Sequence, residues 1–200
     1  NMTLTNITAN NARIGLQYDY HYTNVNISGN SFVNASLDGI NFVDDTYYNS
    51  NPTNVTIEHN NFSRAGSYAA IISNCNGYMI FKNNDYSNST NGIQIASSLD
   101  NTCSNFTFDN ADLSGNGGYG IYIDGSGYYA SAHSFNFNHL VIHNRTSAVY
   151  GVESPSNITL NNFTVTGNGT YAIYLEGGTR IKVINSNISG YDYGVTFDSN

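Results

Sequence analysis

The stretch that decides the fold is Phe106-Thr107-Phe108, followed by Leu113 and then by Gly120-Ile121-Tyr122-Ile123. Apolar and polar residues alternate within its first and last parts, which is typical of short, half-buried β-strands. The same order of residues returns about eight times along the 200-residue chain, once every 21 to 30 residues. A repeat of this length cannot bury its own apolar face, so the pattern predicts turns that stack on one another.

Outward from this stretch, the first strand of every turn places two apolar residues around one central residue. The second block begins with a small residue, as in Gly92-Ile93-Gln94-Ile95, and Ser73 and Gly151 interrupt it in their turns. We predict an all-β fold, a parallel β-solenoid that forms one domain over residues 1–200. The eight first strands are Met2-Thr3-Leu4, Val25-Asn26-Ile27, Val55-Thr56-Ile57, Met79-Ile80-Phe81, Phe106-Thr107-Phe108, Phe135-Asn136-Phe137, Ile158-Thr159-Leu160 and Ile181-Lys182-Val183.

The repeat resembles that of the right-handed parallel β-helix superfamily, which includes pectate-lyase-like and periplasmic-repeat-type solenoids. The likeness rests on the Asn-x-Phe and Gly-Ile-x-Ile patterns and covers essentially the whole chain. Asn30, Asn60 and Asn84 share one offset and resemble the buried asparagine ladder that such helices carry. The resemblance implies the fold alone, because this architecture serves lyases, hydrolases, binding proteins and structural proteins. In later turns the ladder offset is occupied by Ala111, Leu140, Phe163 and Ser186.

The charge of the chain limits its partners. Only 10% of the residues are charged, and the formal net charge is −8. Nucleic-acid binding needs a basic stripe, and the sequence has none, so we expect no nucleic-acid partner. No apolar run approaches the length that spans a membrane, so we expect no membrane span.

Asparagines in Asn-x-Ser/Thr sequons are about twice as frequent as the six or seven that composition alone predicts. Sequons at strand starts, such as Asn54-Val55-Thr56, place both polar residues outward. They predict an extracellular, cell-surface glycoprotein with covalent N-glycans; a solenoid that merely favours Asn and Thr is the alternative. The candidate acceptors are Asn1, Asn6, Asn26, Asn34, Asn54, Asn61, Asn88, Asn105, Asn144, Asn157, Asn162, Asn168 and Asn187.

The two cysteines, Cys75 and Cys103, occupy nearly the same corner of successive turns. Stacking would bring their Cα atoms to roughly 5 to 6 Å, within the range of a disulfide. We therefore predict an inter-turn disulfide, with a pair of buried thiols as the alternative. Their spacing does not resemble a metal site.

Catalytic signals are few, and we predict no catalytic residue. Arg180-Ile181-Lys182 matches a triplet of polygalacturonases and Asp44-Asp45 resembles their paired carboxylates, but the two lie five turns apart. A lyase would need carboxylates around calcium and a base. Asp85, Asp109 and Asp112, with Lys82 nearby, could bind Ca²⁺ weakly, but the preferred interpretation is that they are scattered, solvated carboxylates on a surface of low charge. We expect no cofactor and no resident metal.

Tyrosine is abundant, with 17 residues and no tryptophan. Tyr122, Tyr150 and Tyr174 share an outward offset in three successive turns. Because each ring has an apolar body and a polar tip, such a stack suits a sugar-binding platform or a lateral contact face. Cross-strand packing that stiffens an exposed sheet is the alternative.

Neither end of the repeat has an evident cap. Open turns expose apolar residues and unpaired backbone groups, so we expect self-assembly of the chain through its ends into a homopolymer. The predicted function is an extracellular structural protein of a sheath, layer or filament. The alternatives are a polysaccharide lyase or glycoside hydrolase and a carbohydrate-binding adhesin module.

Overall fold

The computed structural model describes residues 1–19, 23–43, 53–97, 102–125 and 131–199. This part of the chain contains β-strands and no helix, and every strand pair is parallel. The strands stack as a right-handed β-solenoid of about seven turns. The predicted fold is therefore confirmed, and the alternation of apolar and polar residues is its physical basis.

Two parallel sheets form the main walls, and each has eight strands on its main path. Sheet A also carries two short strands, β14 and β17, beside its main path. The main path of sheet A is β1 (Met2–Thr5), β3 (Thr23–Ser28), β5 (Thr53–Glu58), β7 (Asn76–Lys82), β9 (Thr102–Asp112), β11 (Ser131–His143), β13 (Ser156–Asn161) and β16 (Lys182–Ile184). Sheet B consists of β2 (Leu16–Asp19), β4 (Ile40–Val43), β6 (Tyr68–Ser73), β8 (Asn91–Ala96), β10 (Tyr119–Asp124), β12 (Ser147–Val152), β15 (Tyr171–Glu176) and β18 (Tyr193–Asp198).

A narrow third face joins the two sheets. Strands β14 (Thr164–Thr166) and β17 (Asn187–Ser189) continue it at one end. Single bridges such as Thr8 to Ser31 and Ser31 to Asn61 carry the same ladder through the earlier turns. Each turn thus has two strands and a third short contact, as the sequence predicts.

Strand register fixes which residues share a column along the solenoid. Val25 pairs with Val55 and Val55 with Met79, so the predicted interior ladder is confirmed. The spacing of the second blocks in the sequence aligns Ile40 with Ile71. In sheet B, however, Ile40 pairs with Ala70, so the observed register differs by one residue. Ser73 therefore lies beyond the inward block and does not interrupt it.

Aromatic rings stack inside the solenoid because equivalent inward residues lie one strand spacing apart, about 4.8 Å. Phe81 and Phe108 have ring centroids 4.5 Å apart, and Phe108 and Phe137 are 5.3 Å apart. On the third face Phe32 stacks on Phe62. These side chains belong to one continuous buried cluster, which extends through the turns between the two sheets.

The corner after sheet A explains why the chain is rich in asparagine. One residue of every turn has a left-handed backbone there, with φ between 53° and 65°. Asparagine tolerates this conformation better than most residues that carry a Cβ. Among the residues that the structure describes, 21 non-glycine residues at this and other corners have positive φ, and 14 of them are asparagines. The corner residues are Asn6, Gly29, His59, Asn83, Asn110, His139, Asn162 and Asn185.

The predicted asparagine ladder is present immediately after this corner. Asn60 Nδ2 donates to Asn84 Oδ1 at 3.1 Å, and Asn30 Nδ2 donates to Asn60 Oδ1 at 2.9 Å. Each side-chain oxygen also accepts the backbone N–H of the residue one turn earlier. Strands β9 and β11 run through this corner in the next two turns, and the buried apolar residues Ala111, Leu140 and Phe163 occupy the ladder position in the next three.

A buried arginine ties three turns together at another corner. Arg145 is 1% exposed, and Gly115 passes so close that a Cβ there would meet the guanidinium carbon at 2.6 Å. Its Nε donates to Leu113 O at 2.8 Å, and Nη1 donates to the carbonyls of Ser89 and Thr90 at 2.8 Å each. Burial lowers the pKa of Arg145 to about 10, because it disfavours the charged form.

Candidate functional site: a tyrosine ladder on sheet B

The outward face of sheet B carries the predicted tyrosine column. Tyr122 pairs with Tyr150, and Tyr150 pairs with Tyr174. The three side chains are half-buried, while the alternating residues Ile121 and Ile123 point into the core. Period-two alternation therefore positions the column as the sequence indicates.

A second column lies three residues earlier in the same strands and merges with the first. It contains Tyr119, Tyr171 and Tyr193. The six rings form one continuous series, which we call the tyrosine ladder, in the order Tyr122, Tyr119, Tyr150, Tyr174, Tyr171, Tyr193. Successive ring centroids lie 5.1, 5.2, 4.9, 5.0 and 5.1 Å apart.

Carboxylates border the tyrosine ladder on one side. The hydroxyl of Tyr122 donates to Asp124 at 3.4 Å, and that of Tyr174 donates to Asp198 at 3.1 Å. Burial and the carboxylate of Asp124 raise the pKa of Tyr122 to about 12. Burial and Asp198 likewise raise the pKa of Tyr174 to about 12. Both phenols therefore stay protonated at neutral pH.

The stacking limits what the tyrosine ladder can bind. Tyr150 and Tyr174 are nearly parallel, with an interplanar angle of 17°, so each covers part of a face of the other. A sugar that needs the flat face of an inner ring would have to separate such a pair. Ring edges and hydroxyl groups remain for contacts, which favours hydrogen bonding over stacking against these rings.

The candidate sequons are placed at the surface. Twelve of the thirteen asparagines are exposed, and Asn61 is half-buried. Eight of the thirteen also have the left-handed backbone described above. The geometry of the corners therefore supplies a reason for these asparagines that does not involve glycans, while their exposure is compatible with N-glycosylation.

The structure does not contain the predicted disulfide between Cys75 and Cys103. The two residues neighbour each other, since Asn76 pairs with Ser104, but both remain buried thiols. Cys75 Sγ donates to Ser73 O at 3.1 Å, and Cys103 Sγ points to Ile72 O at 3.8 Å. In-register neighbours lie about 4.8 Å apart with parallel side chains, whereas a disulfide needs Cβ atoms about 3.8 Å apart.

These thiols should be unreactive in the folded chain. Burial raises the pKa of Cys103 to about 12, so almost no thiolate exists at pH 8. In denaturant and without added reductant, we expect an aromatic disulfide reagent to modify two thiols per chain. In the folded chain, neither thiol should react at the rate seen in denaturant. A cross-linked pair would release no thiol in denaturant.

The raised pKa of Cys103 also predicts how the stability changes with pH. The thiol ionises at a lower pH in the unfolded chain than in the folded chain, so the free energy of unfolding should decline as the pH rises from the unfolded pKa towards 12.

The carboxylates considered for calcium are held in separate local contacts. Asp109 Oδ1 lies 2.8 Å from His139 Nδ1, while Asp85 and Asp112 accept the backbone N–H of Ser87 and Ser114. Asp85 and Asp112 border a shallow depression of about 320 Å³. Among the described residues, no group of three or more His, Cys, Asp or Glu side chains could hold a metal ion.

The structure describes only some of the residues that resemble polygalacturonase groups. Arg180 and Lys182 are exposed, while Ile181 and Val183 pack against the core. Asp44 and Asp45 lie outside the described residues.

The sequence prediction did not include two features of the tyrosine ladder, and it did not include the buried Arg145. Asp124 and Asp198 follow the outward strand position of the tyrosine ladder by two residues, so period-two alternation could have placed them on the same face. Tyr171 and Tyr193 have the same offset from the outward column as Tyr119. Arg145 has no such signal, because an arginine in a polar corner segment reads as solvent-exposed.

Comparison with known proteins agrees with the geometry. A family model described as "Right handed beta helix region" matches residues 99–200. A search of curated proteins finds no significant match. In the described part of the chain, no helix has the length and apolar character needed to cross a membrane.

Proposed function

The chain belongs to the right-handed β-helix family, and from this premise we propose that it is an extracellular structural protein without catalytic activity. In this proposal, copies stack end to end into a sheath, layer or filament on the cell surface. The observation that carries the proposal is that the first and last described turns present apolar residues in the same columns. Nothing in this role requires a cofactor.

The last described turn leaves core-type residues uncovered. Val195 and Phe197 continue the columns of Ile173 and Leu175, which are fully buried. Yet Val195 is 45% exposed and Phe197 is 58% exposed in the last described turn. Exposed apolar patches of this kind mark interaction surfaces.

The first described turn has matching residues in the same columns. Leu16 and Tyr18 begin the columns that end at Val195 and Phe197. A second copy placed one strand spacing beyond the last turn would set Leu16 on Val195 and Tyr18 on Phe197. This contact repeats the register that already joins every pair of neighbouring turns, so it continues an established kind of interface.

Charge also complements this stacking at one corner. Arg13 lies three residues before Leu16, and Asp192 lies three residues before Val195; both are exposed. They therefore occupy one column at opposite ends, and stacking pairs their opposite charges.

The surface supports the extracellular part of the proposal. Twelve exposed sequon asparagines can accept glycans without disturbing the buried core. Outward positions are mostly uncharged Thr, Asn, Ser and Tyr, which suits a coat that stays folded outside the cell. N-glycans on the flanks would also leave the two end faces as the preferred contacts.

The experiment is assembly of chain secreted from a eukaryotic host. We expect mass spectrometry to find N-glycans and light scattering to show growth with concentration. Phe197→Asp should hold the chain monomeric, since it places a charge in the apolar end face. Arg13→Asp and Asp192→Arg should each weaken assembly, and the double variant should restore it because the charges are exchanged.

Tyr78→Asp is the matched control, because Tyr78 is 62% exposed and lies on sheet A away from both end turns. It should assemble like the unmodified chain. Unmodified chain that stays monomeric over a wide concentration range would refute the assembly proposal, as would normal assembly of Phe197→Asp. Secreted chain without glycans would refute the glycoprotein proposal separately.

A further inference from the structure

We propose that the tyrosine ladder is a site of oxidative modification. An electron hole formed on one of its phenols moves along the neighbouring rings and is trapped at Tyr193 as a dityrosine cross-link to a second chain. The oxidant is hydrogen peroxide acting through a haem peroxidase. This inference goes beyond the structural role and concerns the unassembled chain, because end-to-end stacking would place a second copy against the turn that contains Tyr193.

The spacing of the rings supplies the path. From Tyr122 to Tyr193, all five steps have centroid separations between 4.9 and 5.2 Å. Neighbouring rings at this distance are in contact, so transfer between them needs no intervening group. The chain has no tryptophan, and tyrosine is therefore its most easily oxidised aromatic side chain.

The bordering carboxylates supply the proton acceptors. A phenol that loses an electron becomes strongly acidic and must release its proton at the same time. Asp198 accepts the hydrogen bond of Tyr174, and Asp124 accepts that of Tyr122. These two phenols can therefore pass the proton directly to a carboxylate, which makes them the favoured points of oxidation. When the hole moves to the next ring, the carboxylate returns the proton to its phenol, and the newly oxidised phenol releases its own proton to water.

Exposure explains why the hole is trapped at Tyr193. This side chain is 55% exposed, whereas the other five rings are half-buried and cannot approach a ring of another molecule as closely. In the coupling, two tyrosines each lose one electron and one proton, and one peroxide becomes two waters. The two phenoxyl radicals form one carbon–carbon bond ortho to the oxygens, and the hydrogens on those carbons move to the oxygens.

The test treats the monomeric fraction with peroxidase and limiting hydrogen peroxide, then maps dityrosine by peptide mass spectrometry. Tyr78 is the internal reference, because it is more exposed than Tyr193 at 62% and lies on the other sheet. We expect severalfold more dityrosine at Tyr193 than at Tyr78. Exposure alone predicts the reverse order, so equal or greater cross-linking at Tyr78 would overturn the proposal.

Three variants separate the path from local effects at Tyr193. Tyr174→Phe replaces the phenol in the middle of the path by a ring that is much harder to oxidise, and Asp198→Asn removes a proton acceptor. Each should lower the Tyr193 product severalfold and leave the Tyr78 product unchanged. Tyr78→Phe should leave the Tyr193 product unchanged. Circular dichroism would confirm that each variant is folded. If Tyr174→Phe retains the full Tyr193 yield, the rings do not act as a path and the inference fails.

Discussion

Replacement of Arg145 by alanine should lower the free energy of unfolding by about 3 to 5 kcal/mol, since a charged donor is removed from several buried carbonyls. In the native chain its guanidinium donates to Leu113, Ser89 and Thr90, and further to Gly117 and Ser114. Without it, the inner carbonyls lose their partner and the site beside Gly115 becomes a cavity. Denaturant unfolding followed by circular dichroism measures the effect.

Arg64 provides the matched control for this prediction. It is also an arginine at a corner between strands, but its side chain is exposed. Arg64→Ala should change the stability by less than about 0.5 kcal/mol, as surface substitutions commonly do. Arg145→Lys should recover only part of the loss, because one ammonium group cannot reproduce the planar fork of a guanidinium. Equal effects of Arg64→Ala and Arg145→Ala would show that the buried contacts do not hold the turns together.

The strength of the Arg145 contacts follows from their reach along the solenoid. Ser89 and Arg145 are 56 residues apart in sequence, yet Nη1 and the carbonyl are 2.8 Å apart. In a solenoid each turn mostly contacts its immediate neighbours, so stability is close to a sum of neighbouring contacts. A side chain that joins more than two turns adds cooperativity that the backbone ladders alone do not provide.

The fold could be predicted because its signal is repeated in every turn. The inward residues of sheet A, such as Val25, Val55 and Met79, are read directly from period-two alternation. The one-residue error at Ala70 has a physical reason. Insertions and deletions between strands do not change the local pattern, and Ile71 and Ile72 are equally apolar, so spacing alone could not choose the register.

Side-chain chemistry could be predicted less well than the backbone. The sequence correctly placed Cys75 beside Cys103, but the formation of a bond depends on the direction of each thiol, which nearby carbonyls determine. It likewise identified the outward column at Tyr122 but not the continuous ladder, because contacts between rings depend on rotamers. The sequon excess was interpreted as a glycan signal, and the left-handed corners are a second cause that only the backbone geometry reveals.

The buried asparagine ladder leads to the second large prediction. Asn60→Ala should lower the free energy of unfolding by about 2 to 4 kcal/mol, because several buried polar groups lose their partners at once. Asn60 Oδ1 accepts from the backbone and the side chain of Asn30, and its Nδ2 donates to Ile27 O at 2.9 Å. Alanine can neither accept nor donate these bonds, and the site is too enclosed for the neighbours to turn to solvent.

Position in the ladder should set the size of the loss. Asn60 has ladder partners on both sides, whereas Asn30 begins the ladder and accepts from the backbone of Ile7 alone. Asn30→Ala should therefore be less destabilising than Asn60→Ala, and Asn26→Ala, at an exposed outward position of sheet A, should be close to neutral. Apolar residues such as Leu140 occupy the same column in later turns. They do not argue against this order, because strand β11 runs through that corner and the backbone beside Leu140 requires no side-chain acceptor. If denaturant unfolding gave Asn60→Ala the same stability as Asn26→Ala, the amide bonds would contribute no net stabilisation, and the ladder would be only a consequence of backbone stacking.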